Sequence, residues 1–173
     1  MRYIVLAAIA VVNLIFTGAV FPNINIAGLA PDIIICSMAS VVILEKRMTG
    51  ALIGLVCGLI LDLLFSGAIG FFAIPYLIVG AALYAVVRRI SYIDRFFLPM
   101  SIAAGAYLLK EVLSALLSYM LGYEFSLIRM VVRYILPELI ITGIFMLPIH
   151  GLLTRIYRSS SVRPRNPEEF KHL

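Results

Sequence analysis

Long, predominantly apolar stretches recur along the chain, at 4–21, 30–44, 49–66, 71–87, 99–120 and about 134–154, and they govern what it can fold into. A hydrocarbon core of roughly 30 Å is crossed by about 20 apolar residues in helical conformation, and a helix satisfies all of its backbone polar groups internally. Runs of about 17 to 22 residues therefore predict an all-α integral membrane bundle of six transmembrane helices. Composition points the same way: 63% of the 173 residues are hydrophobic and only 13% charged, against about a quarter charged in a soluble domain. The transmembrane domain is expected to occupy residues 1–158, leaving 159–173 as a tail.

The second run is the shortest. Pro31 suits a first helical turn and Asp32 favours the positive end of the helix dipole, so a start near Ala30 is expected. A helix this short calls for thin bilayer or little tilt. Arg2 and the small residues Thr17-Gly18-Ala19 would also suit a cleaved signal peptide, but the first run exceeds the usual h-region of about 7–15 residues, so a retained helix is expected.

A net charge of +5 raises the question of nucleic acid. The cations, however, sit at the ends of apolar runs and read as topology signals, so no nucleic acid partner is expected. Alternating the spans places Arg2, Lys46, Arg47, Arg88, Arg89, Arg95, Arg155, Arg158, Arg163, Arg165 and Lys171 on one side, and only Arg129 and Arg133 on the other. The rich side is cytoplasmic by the positive-inside rule, with both termini inside. Ser159-Ser160-Ser161, Pro164 and Pro167 make the tail a disordered cytoplasmic segment. Arg155, Arg158, Arg163 and Arg165 would meet anionic lipid headgroups, each gaining up to about 1 kcal/mol.

Gly50, Gly54, Gly58 and Asp62 repeat every four residues along one helical face. Small residues there let another backbone approach, either within the subunit or from a partner helix. Asp62, near the end of its run, needs water, a donor or a cation; it either holds the reversal from Ser66 to Gly70 or serves transport or partner contact. Gly67 and Gly70 allow that reversal.

Lys110 and Glu111 fall in the middle of the fifth run, where a lysine costs about 2.5–3.5 kcal/mol if it faces lipid. Both are expected to be buried. Adjacent side chains diverge by about 100°, so each is expected to find a partner on another helix, with Asp62 a candidate for Lys110. The pair reads as a buried interhelical ion pair, or alternatively as a cation or proton site. Ser114 and Ser118 extend Lys110's face.

Residues 126–135 carry Arg129 and Arg133 at i,i+4 beside Leu127, Ile128, Val131 and Val132, the pattern of a helix lying on the outer interface, in contact with lipid or a partner. Pro137 and Glu138 then suit the first turn of a new helix, so the last span is expected to begin later than hydropathy alone indicates. Pro75, inside the fourth run, is expected to kink it. His150 and His172 have no Cys or carboxylate motif beside them, Cys36 and Cys57 lie in apolar runs, and no glycine loop with a lysine cradles phosphate. No enzyme, cofactor or metal site is predicted.

Leu29-Ala30-Pro31-Asp32, Gly50-Ala51-Leu52-Ile53-Gly54, Gly58-Leu59-Ile60-Leu61-Asp62-Leu63, Ser66-Gly67, Gly70 and Tyr76-Leu77-Ile78-Val79-Gly80 occur in an order and spacing that resemble the bacterial rod shape-determining MreD family. The resemblance implies a non-enzymatic scaffold of the inner-membrane machinery that builds the lateral cell wall. Its implied partners are MreC, a single-span protein with a periplasmic domain, and more loosely the actin-like filament and the glycan polymerase with its transpeptidase. The family also looks related in fold to the substrate-binding subunits of energy-coupling factor transporters. That supplies a rival, a small-molecule-binding subunit docked on an ATP-driven module. Against it, Ala7 and Ala10 have Val11 and Leu14 four residues on, so no small-xxx-small docking pair forms, and there is no Trp for a ligand pocket. A flippase or ion-coupled transporter would need more intramembrane polar groups than Asp62, Lys110 and Glu111.

Overall fold

The computed structural model describes residues 2–20, 29–66, 70–90, 97–122 and 131–158, and among these every regular element is helical. Six α-helices follow in order: α1 Arg2–Ile15, α2 Ile33–Glu45, α3 Thr49–Leu61, α4 Ala73–Val87, α5 Phe97–Met120 and α6 Leu136–Arg158. Wider π-helical turns extend α1 through Phe16–Val20 and α3 through Asp62–Ser66, and another, Val131–Ile135, leads into α6. Three stretches are long and apolar enough to cross a membrane, Thr49–Ser66, Phe97–Met120 and Leu136–Tyr157. The other apolar helices, Ile4–Val20, Ile33–Glu45 and Ala73–Val87, are shorter.

The architecture is a ring around one helix. All of α2, from Ile33 to Glu45, is buried, and it packs against α1, α3, α4, α5 and α6. Its sequence IIICSMASVVILE is apolar on every side, as a helix without a solvent or lipid face requires. Around it α1 packs on α3, α3 on α4, α4 on α5 and α5 on α6, while α1 and α6 barely meet. The 13 residues of α2 span about 20 Å.

Helix ends depart from expectation in instructive ways. Asp32 is the N-cap of α2, accepting from the Ile35 N–H at 3.1 Å, so the helix starts at Ile33 rather than near Ala30. Lys46 closes α2 in the left-handed conformation with φ 48°, a geometry that costs a non-glycine residue about 1 kcal/mol. Pro75 occupies the first turn of α4, where its missing N–H has no intrahelical partner to lose, so it does not interrupt the helix. Pro137 and Glu138 stand in the first turn of α6, as their chemistry implies.

The glycine row of α3 faces inward. A Cβ on Gly50 would meet Val42 and lie 2.6 Å from the Met38 carbonyl of α2. At Gly54 it would lie 2.5 Å from Met38 Sδ and 3.2 Å from the Tyr76 carbonyl, and at Gly58 2.6 Å from Ala73 Cα. Gly80 of α4 reciprocates, with Ala51 Cα 2.5 Å from its virtual Cβ. The row is thus occupied by α2 and α4 of the same chain.

Candidate functional site

Two polar centres lie among the described helices. In the first, the buried Asp62 accepts from the backbone N–H groups of Gly70 at 2.8 Å, Phe72 at 2.7 Å and Ala73 at 3.1 Å, and from the Ser66 hydroxyl at 3.3 Å. Phe72, the N-cap of α4, makes no side-chain cap of its own. Asp62 supplies that cap from a distant turn, placing a negative charge on the positive end of α4. Gly70, at φ +106°, takes a conformation open to few other residues. Asp62 therefore holds the reversal, and its acceptor sites are filled by donors other than Lys110.

The second centre surrounds Lys110. Its Nζ lies 2.6 Å from Glu111 Oε1 and 3.4 Å from Asp32 Oδ2, and 5.5 Å from the centre of the Tyr107 ring. Three directions thus receive the three N–H donors of one ammonium. The Tyr76 hydroxyl donates to Asp32 Oδ2 at 3.0 Å, the Tyr107 hydroxyl donates to Glu138 Oε2 at 2.6 Å, and the Asp32 N–H donates to Thr142 Oγ1 at 3.1 Å. Side chains of Lys110, Asp32 and Glu111 are only 15%, 9% and 12% exposed, so none faces lipid.

Two sequence expectations are corrected here. Lys110 pairs with Asp32, not Asp62. Lys110 and Glu111 also pair with each other although adjacent, because the flexible lysine stem turns its ammonium back across the helix surface. The Ser118 hydroxyl donates to the Ser114 carbonyl at 2.9 Å, one turn back on the same helix.

The network joins α2, α4, α5 and α6 through Asp32, Tyr76, Lys110 and Glu138. Asp32 and Glu111 share Lys110, and Glu138 joins the centre through the Tyr107 hydroxyl that donates to it. That arrangement locks helices in register, since removing one member leaves the rest uncompensated in a low-dielectric interior. Tyr107 and Thr142 were not singled out in the sequence, and Tyr76 entered only within a family motif; the available signal was Tyr107 one turn before Lys110 on the same face.

A ladder continues down α2 against α6. The Cys36 thiol donates to the Thr142 carbonyl at 3.4 Å, the Ser40 hydroxyl to Met146 Sδ at 3.7 Å, and the Tyr157 hydroxyl to Glu45 Oε1 at 2.9 Å. Glu45 and Tyr157 are both buried and were not singled out in the sequence. His150 is buried, at 8% exposure. Among the described residues no group of His, Cys, Asp and Glu could hold a metal ion. Arg155 is exposed at the end of α6. Arg129, Arg163 and Arg165 lie outside the described residues, as do the side chains of Arg133 and Arg158 and the tail 159–173.

The family of rod shape-determining protein MreD matches residues 1–158, which include every helix above. The chain belongs to the MreD family. No curated protein and no solved structure matches it. As an MreD family member it is a rod shape-determining membrane protein, and both polar centres lie within the matched region. The family is one of shape-determining membrane proteins rather than a known family of enzymes.

Proposed function

We propose that this protein is a non-enzymatic, six-pass scaffold of the bacterial inner membrane, with both termini cytoplasmic. It binds an MreC-like single-span periplasmic protein and, through that assembly, the actin-like filament and the glycan polymerase with its transpeptidase. Membership of the MreD family over the full helical bundle carries this reading. The internal bonding of the charges supports it: Asp62 caps α4, and Lys110 is engaged by Asp32 and Glu111. Groups held this way suit a rigid frame better than a proton relay, which needs chains of exchangeable sites. In this orientation Arg155, Arg158, Arg163 and Arg165 face anionic lipid, and Arg129 and Arg133 the opposite interface.

The short α2 fits a six-pass arrangement because protein, not lipid, surrounds it, so its length need not match the hydrocarbon thickness. Affinity purification of the tagged protein in mild detergent, followed by mass spectrometry, tests the scaffold. A single-span periplasmic wall-assembly protein is expected in near-equal amount. Recovery instead of ATPase subunits, or of a tightly bound vitamin-like molecule, would replace the scaffold by a transporter subunit.

A further inference from the structure

Helices α4 and α5 pack on each other, yet an apolar groove of about 340 Å³ lies open along their contact. It reaches from Val79 to Ile90 along α4 and the turn after it, and from Leu98 to Leu109 along α5. At the helical rise that is about 16 Å, close to the depth of one leaflet, half of a hydrocarbon core of roughly 30 Å. Direct packing of α4 on α5 leaves no width between them for a helix about 10 Å across, so the groove suits a thin chain. Beside Gly105 of α5, on the groove's rim, a Cβ would find nothing within 4 Å. One mouth of the groove is charged. Arg89 follows Ala82 and Val86 at helical spacing, on the stripe that lines the groove. A tight turn carries it there, with the Arg89 N–H donating to the Val86 carbonyl at 3.0 Å and the Ile90 N–H to the Val87 carbonyl at 3.2 Å. Arg88 and Arg89 are both exposed, and among the described residues neither guanidinium has an ion pair. The amino end of α5, from Phe97, opens on the same mouth, and the positive end of its dipole adds to the field of the two cations.

We infer that this groove holds one acyl chain of an anionic phospholipid, with the phosphate of that lipid between Arg88 and Arg89. Length, width and charge agree on this occupant: the groove spans one leaflet, excludes a helix, and is cationic at the end where a headgroup must lie. Guanidinium groups bind phosphate oxygens in bidentate, charge-assisted pairs. An acidic protein segment would answer the arginines and leave the groove empty. A helix of a partner or of a second copy would lie across the rims without reaching the buried floor at Val79 and Ala106. The seat is independent of which protein the bundle binds.

Native mass spectrometry of the full-length protein in detergent tests the seat, after incubation with phosphatidylglycerol or with phosphatidylcholine of the same chains. Phosphatidylglycerol is expected to be retained about tenfold more tightly. Arg88→Gln with Arg89→Gln is expected to reduce it to the level of phosphatidylcholine, whereas Lys46→Gln with Arg47→Gln, which removes the same charge from the turn between α2 and α3, leaves the preference in place. Gly105→Leu, whose side chain enters the groove, is expected to lower retention of both lipids about tenfold with unchanged accumulation of the protein. Equal retention of the two lipids by the unaltered protein, or an equal loss from the Lys46 and Arg47 pair, would overturn the phosphate site. Full retention by Gly105→Leu would overturn the chain seat.

Discussion

The α3–α4 contact and the α1–α6 seam stand at opposite extremes of helix packing in one ring. At the first, Gly58 and Gly80 bring backbone against backbone, with no room for even a methyl group beside Ala73 or Ala51. At the second, large side chains such as Phe16 and Leu152 stand 40% and 60% exposed across an open groove. Lipid tails are as apolar as leucine, so no hydrophobic force closes a helix pair in a bilayer, and close van der Waals fit must do so. Small residues close α3 on α4, whereas bulky ones keep α1 and α6 apart.

That contrast breaks most severely at Gly58. Gly58→Leu sets a side chain against the Ala73 backbone, which cannot swing aside, and is expected to cost about 3 kcal/mol or more. Thermal unfolding in detergent, with recovery of assembled complex alongside, reads this; an unchanged midpoint would mean that α3 and α4 are not held by close approach. Lys110→Met comes next, at about 2–3 kcal/mol, because it strands Asp32 and Glu111 without their cation. The double variant Lys110→Met, Glu111→Gln is expected to regain part of the loss in the same assay. Asp62→Ala leaves the N–H groups of Gly70, Phe72 and Ala73 without their acceptor and should cost about 2 kcal/mol. Faster hydrogen exchange confined to the start of α4 is its expected signature. Smallest is Gly105→Ala on α5, where a new Cβ meets nothing within 4 Å; its midpoint should match wild type to within about 0.5 kcal/mol.

Much of this frame was legible in the sequence. The apolar runs foretold helices, the i,i+4 glycines marked a close contact, and Pro137 with Glu138 located the start of α6. Asp62 and Gly70 were readable as a reversal because both chemistries act locally. The partner of Lys110 was not readable, since Asp32 and Asp62 offer the same charge and only the ring order puts Asp32 beside α5. The place of α2 was written in its lack of a polar or apolar side, yet its brevity suggested thin lipid instead. Glu45 and Tyr157 stayed hidden because their meeting joins residues 112 positions apart.

The central position of α2 also bears on the order of synthesis. Asp32 is completed by Tyr76, Lys110 and Thr142, and Glu45 by Tyr157, all of them downstream in the chain. When α2 leaves the ribosome, none of these groups yet exists. These downstream partners reach its carboxylates only after the ribosome has passed the end of the bundle. Until then the helix at the centre of the finished protein is its least finished part, and the last helix made, α6, is the one that seals it.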